Sequence, residues 1–201
     1  MERRRITSFA LRFAAIYVAL AIVAVVWERP LGEAVAPFVK LGVGLGTDVE
    51  VRQISSEGHH LTARVVFTDP RRPVGERRVH ATVAANGDLM LVGPLLAISA
   101  VAAWAYRSRR ERAAAMMLGP LFAFALSAHD AASTITIGIR SKLGVLDPAT
   151  AFYSFFLDSG GRQLLALAAA TLAIRIAGRV GEKTEAAPHR RVRRSSFTVA
   201  S

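Results

Sequence analysis

The chain has 201 residues, a formal net charge of +11 and a hydrophobic content of 52%. It contains no cysteine, which excludes disulfides, thiolate-ligated zinc or iron–sulfur sites and a cysteine nucleophile. The apolar residues come in blocks with charges between them, the pattern of a membrane protein, and no internal repeat of fixed period occurs.

The first block is Ser8 to Trp27, "SFALRFAAIYVALAIVAVVW". It matches the roughly 20 residues that a helix needs to cross a hydrocarbon layer of ~30 Å. Arg12 near its start can snorkel, and Trp27 ends it at interface depth. A basic start and Ala34-Val35-Ala36 resemble a signal peptide with its cleavage motif. That motif lies well past Trp27, beyond Glu28, Arg29 and Pro30, and Pro37 follows it directly. The block therefore reads as an uncleaved anchor.

Residues 28–88 are too long and too patterned for a plain loop. "PLGEAVAPFVKLGVGLG" reads as a short amphipathic helix after Pro30. From Asp48 the hydrophobic period changes to two, most clearly in "LTARVVFT" and "RVHATVA". With turns at Glu57-Gly58, from Asp69-Pro70 through Gly75, and at Asn86-Gly87, this predicts an antiparallel three-stranded meander within 48–85. Its strands fall near 48–55, 60–69 and 77–85. A sheet this small barely stabilises itself, so its apolar face needs cover from the 31–46 helix, the membrane surface or another protein.

Three more apolar blocks follow, at residues 89–106, 113–132 and 160–178. Residues 107–112 form a short basic loop and 133–159 an outer loop; 179–201 read as a basic, disordered tail. The expected architecture is an α-helical integral membrane protein with four transmembrane helices and a small extracytoplasmic β meander between helices 1 and 2. Charge orients it. The N-terminal stretch through Arg12, Arg107 to Arg112 and the stretch from Arg175 onward together hold 15 basic and four acidic residues. Both long segments on the other side are neutral. This is the positive-inside asymmetry of a bacterial inner-membrane protein with both termini cytoplasmic. Anionic lipid accounts for the basic tail, with no need of nucleic acid.

Chemistry-bearing residues are few. No nucleotide-binding, zinc-protease or serine-hydrolase fingerprint occurs, so no cofactor or metal is expected. His59-His60 lacks a third ligand at a completing spacing and reads as a solvated turn. His129 and Asp130 lie sixteen or more residues into the third span, at its expected outer edge. They are either an interfacial helix end or an intramembrane polar site. At helical spacing Asp130 shares a face with Thr134, and His129 with Ser133. The two ionisable residues themselves point about 100° apart, so they form no relay dyad. Phe152, Tyr153, Phe155 and Phe156 form an aromatic cluster, an interfacial belt or a docking patch. Small residues four apart (Ser99 and Ala103; Ala166 and Ala170; Ala169, Ala173 and Ala177) favour close helix packing, within the chain or in a homo-oligomer.

The order of parts, with "VEVRQISSEGHHLTARVVF", "GDLMLVGPLLAISAVAAWA" and "SGGRQLLALAAATLA", resembles the small membrane proteins associated with exosortase H. The resemblance implies an accessory role beside a membrane protein-sorting transpeptidase, and it implies no catalytic residues. From the residues themselves, the expected function is a non-catalytic accessory protein that presents the meander to a membrane or envelope partner. The alternative is a membrane enzyme or transport component that uses His129 and Asp130.

Overall fold

A computed structural model describes residues 2–57, 60–68, 73 and 77–185. His59, most of the 69–76 turn and the tail from 186 lie outside the described residues. The described chain is mostly helical, with one three-stranded antiparallel sheet. Its elements are α1 (Glu2–Gly46), β1 (Glu50–Glu57), β2 (His60–Thr68), β3 (Arg78–Asn86), α2 (Gly87–Ala103), α3 (Arg109–Leu143), α4 (Pro148–Phe156) and α5 (Arg162–Glu185). Ile6–Val26, Arg109–Leu143 and Pro148–Val180 are long and apolar enough to cross a membrane. The apolar helix Met90–Ala103 is shorter.

The first anchor and the amphipathic helix are one element. α1 runs 45 residues through Pro30 and Pro37, or about 68 Å at 1.5 Å per residue. Each proline removes one backbone donor. The helix continues because Val35, Val39 and Val43, at i, i+4 and i+8, are almost wholly buried and fix its C-terminal half against the sheet.

The meander is where the alternation places it, in the order β1-β2-β3, with a bulge between Val51 and Gln53. Leu61, Ala63 and Val65 of β2 and Val83 and Ala85 of β3 point inward. They pack on the α1 valines and on Ala131, Ala132, Ile135 and Ile139 of α3. The sheet's apolar face is therefore covered by the chain's own helices.

α3 supplies half of that cover because it does not stop at residue 132. It begins where Ser108 accepts the backbone N–H of Glu111, an N-cap arrangement that fixes the start of a helix. It then continues to Leu143, so residues 133–143, expected as loop, are helical. Gly138 marks a close approach to the sheet: a Cβ there would lie 2.6 Å from Val83 Cγ1. Lys142 Nζ donates to the carbonyl of Thr82 at 2.6 Å, pinning the helix end to edge strand β3.

A second core lies in the helical half. Ala97, Ala100 and Val101 of α2 meet Ala115 of α3 and Ala166, Ala170, Ala173 and Ala177 of α5. The alanine spacing on α5 thus serves close packing inside the chain. Two further boundaries move: α2 ends at Ala103, three residues before the expected 106, and α5 extends to Glu185, past 178.

Candidate functional site

His129 and Asp130 lie in the middle of α3, where the two cores meet, and they turn to different surroundings. Asp130 faces α5. Arg162 Nε donates to both of its carboxylate oxygens at 2.9 Å. The side chains are 11% and 9% exposed, so this is a buried ion pair. The other Arg162 nitrogens are also occupied. Nη1 reaches Asp158 Oδ1 at 3.1 Å and the Leu157 carbonyl at 3.3 Å, and Nη2 lies 3.5 Å from Thr134 Oγ1. Asp130 and Thr134 do share a face, as their spacing requires, and the face is occupied by one arginine. Removing two charges from water is costly unless they pair and their remaining hydrogen-bonding groups are met. This arrangement meets both conditions.

Arg162 is delivered to Asp130 by the turn between α4 and α5. Residues Leu157–Gly161 form a wide turn in which Gly160 takes φ +104°, a conformation that disfavours side chains. At Gly161 a Cβ would lie 2.6 Å from the Phe156 carbonyl oxygen. Gly161→Ala is therefore expected to cost about 1–3 kcal/mol through overpacking. A denaturant titration in micelles would check this; an unchanged midpoint would show that the turn yields.

His129 faces the other way, toward α4. Its Nε2 is 2.8 Å from the Tyr153 hydroxyl, and the rings meet edge-on. The aromatic cluster divides at helical spacing. Tyr153 and Phe156 stack at 6.4 Å and are partly buried, while Phe152 and Phe155 are exposed. The four residues are therefore two pairs on two faces of α4.

His129 and Ser133 also line a cleft of about 490 Å³ between α1, α3 and α4. Thr136 and Arg140 continue their stripe at i+7 and i+11, and Thr150 and Tyr153 close the far side. Arg140 Nη1 donates to Asp147 Oδ2 at 3.0 Å and to Thr150 Oγ1 at 2.8 Å, and Nη2 donates to the Gly46 carbonyl at 3.1 Å. One guanidinium thus ties together the ends of α1, α3 and α4. Thr136 and Arg140 are missed by a sequence reading that ends the third helix at 132. Extending the His129/Ser133 spacing by two turns finds both.

Asp147 caps α4. It accepts the Thr150 hydroxyl at 2.6 Å and the Thr150 backbone N–H at 2.9 Å. Hydrogen bonding by Thr150, aided by the charge of Arg140, holds the Asp147 carboxyl below the usual carboxylate range. A carboxyl lowered on folding contributes stability above its unfolded value of about 3.9 and loses it as pH falls through the folded value. Amide-exchange protection of residues 148–156 is therefore expected to hold at neutral pH and fall once the pH drops below about 4. In Asp147→Ala it should be low throughout. Equal pH profiles for the two proteins would show that another group controls α4.

Among the described residues no cluster of three His, Cys, Asp or Glu side chains could hold a metal. The fold and site define a class: a membrane protein in which helices cover a small sheet and a buried arginine–aspartate pair fastens two of the helices. No family model, curated protein or solved structure matches the chain.

Proposed function

We propose that the protein is a non-catalytic accessory protein of the bacterial inner membrane. It presents its β meander, on the extracytoplasmic side, to a membrane or envelope partner. An exosortase-type protein-sorting system is the partner class suggested by the order of parts. One observation carries the non-catalytic reading: Asp130, the ionisable residue deepest in α3, is engaged by Arg162 and sequestered from the cleft. An intramembrane carboxylate is a functional candidate by default, but one already neutralised and hydrogen-bonded acts as a fastener. The sheet's outer face supports the partner reading. Gln53, Arg64 and Thr82 pair in register across its three strands and are all exposed. Their rigid, polar surface is free for contact because the opposite face is filled from within. Photo-crosslinkers at these positions test the proposal, as set out in the Discussion.

The cleft favours a second reading, a membrane enzyme or transport component. Because Asp130 turns away, that reading narrows to His129 with Tyr153 and Ser133. His129→Ala with normal insertion and normal partner capture, but lost cellular function, would select it.

A further inference from the structure

We propose that the cleft between α1, α3 and α4 is a binding site for one anionic phospholipid, with the phosphodiester head on its polar stripe and the acyl chains along its apolar lining. The proposal rests on the chain spanning a membrane and is independent of whether a protein partner binds the sheet.

A polar stripe runs the length of an otherwise mostly apolar cleft. His129, Ser133, Thr136 and Arg140 form one stripe of α3, spanning eleven residues or about 16 Å. Among the described residues the hydroxyls of Ser133 and Thr136 enter no hydrogen bond. Arg140 makes three hydrogen bonds from Nη1 and Nη2. A guanidinium carries five donor hydrogens, so its Nε–H and one Nη2 hydrogen remain. Hydroxyls and guanidinium donors together suit a phosphate, whose oxygens accept several bonds at once.

The lining beside the stripe is mostly apolar. Phe38, Gly42 and Gly46 of α1 border the stripe on one side and Ala128, Ala132 and Ile137 of α3 flank it, and Phe38 is 54% exposed. At the end nearest the helical bundle, Phe38 meets Phe124 edge-on at 5.2 Å. A polar stripe set in an apolar cleft fits a molecule with a charged head and flexible hydrocarbon chains. The position agrees: the cleft starts where α3 leaves its apolar half at Ala128 and runs toward the sheet. At the edge of a bilayer this is headgroup depth.

The test uses the full chain, purified in mild detergent, stripped of lipid, and titrated with phosphatidylglycerol or phosphatidylcholine of identical chains. Native mass spectrometry reads the lipid retained. One phosphatidylglycerol per chain is expected, preferred about tenfold over phosphatidylcholine, as a charge-assisted contact would give. Thr136→Val keeps the side chain's shape and removes its hydroxyl; it should weaken retention several-fold with an unchanged thermal melt. Ser133→Phe should fill the cleft and abolish retention. Equal retention of the two lipids, or full retention by both variants, would overturn the proposal. Displacement of the lipid by inorganic phosphate alone would overturn it in favour of a free-anion site. Crosslinking from the sheet face is expected to be the same in all these variants, so failure here is distinguishable from failure of the partner reading.

Discussion

Replacing Asp130 with alanine is expected to destabilise the folded chain by about 3–5 kcal/mol, the usual cost of stranding one member of a buried ion pair. Arg162 would keep its charge with, among the described residues, Asp158 left as its counter-ion, and the Asp158 side chain is 67% exposed. α3 and the segment Pro148–Val180, which carries α4 and most of α5, are each long and apolar enough to cross a membrane, so the loss would be felt as loosening of two spans at once. A double replacement, Asp130→Leu with Arg162→Met, removes both charges and is expected to recover most of the stability, because well-packed apolar residues commonly substitute for a buried pair at little cost. Equilibrium unfolding in mixed micelles would compare the three proteins. If the double variant were as unstable as Asp130→Ala, the attraction between these two side chains would not be what joins the helices. If Asp130→Ala were as stable as the parent, the pair would have no fastening role, and a functional role for Asp130 would gain weight.

The second large effect is expected at the seam between α3 and the sheet. Ile135 and Ile139 are 0% and 1% exposed and lie against the inward side chains of the meander. Truncating either to alanine is expected to cost about 2–5 kcal/mol, the transfer term plus the cavity left behind. Met117 on the same helix is 77% exposed, and its truncation should cost far less. Hydrogen exchange would locate the damage. Protection of residues 60–68 and 78–86 should fall in Ile135→Ala, while the alanine-packed core of α2 and α5 keeps its protection. Uniform loss over both cores would show that the two halves unfold as one unit.

The same seam explains what the sequence conceals. The meander was legible because alternating apolar residues and turn signals agree over three consecutive strands. The segment "STITIGIRS" gives a misleading signal. Its isoleucines alternate with Thr134, Thr136 and Gly138 at period two, and its β-branched content is low in helix propensity. Tertiary packing overrides this. Ala131, Ile135 and Ile139, at i, i+4 and i+8, make a buried stripe once the sheet is there to receive it. Within the site, helical spacing alone separates His129 from Asp130 and pairs each with Ser133 or Thr134. It does not supply the partners. Arg162 lies 32 residues from Asp130, beyond a glycine turn, and only the fold brings it to within 2.9 Å. The aromatic cluster was visible as composition, whereas its division into Tyr153/Phe156 and Phe152/Phe155 depends on which face of α4 meets α3.

The covered sheet also changes the argument for a partner. An undersized sheet with a bare apolar face would need another protein to complete its core. Here α1 and α3 complete it, so a partner is expected at the exposed polar face instead. The central claim is that this face makes a specific contact. It is tested most directly by placing a photo-crosslinking residue in turn at Gln53, Arg64 and Thr82, and at Leu121 as a comparison site on an exposed apolar face. The cross-linked species are then identified from native membranes. The account predicts one heterologous membrane or envelope protein, captured from the three sheet positions and absent from position 121. No protein adduct from the sheet, or the same mixture from all four positions, would contradict it.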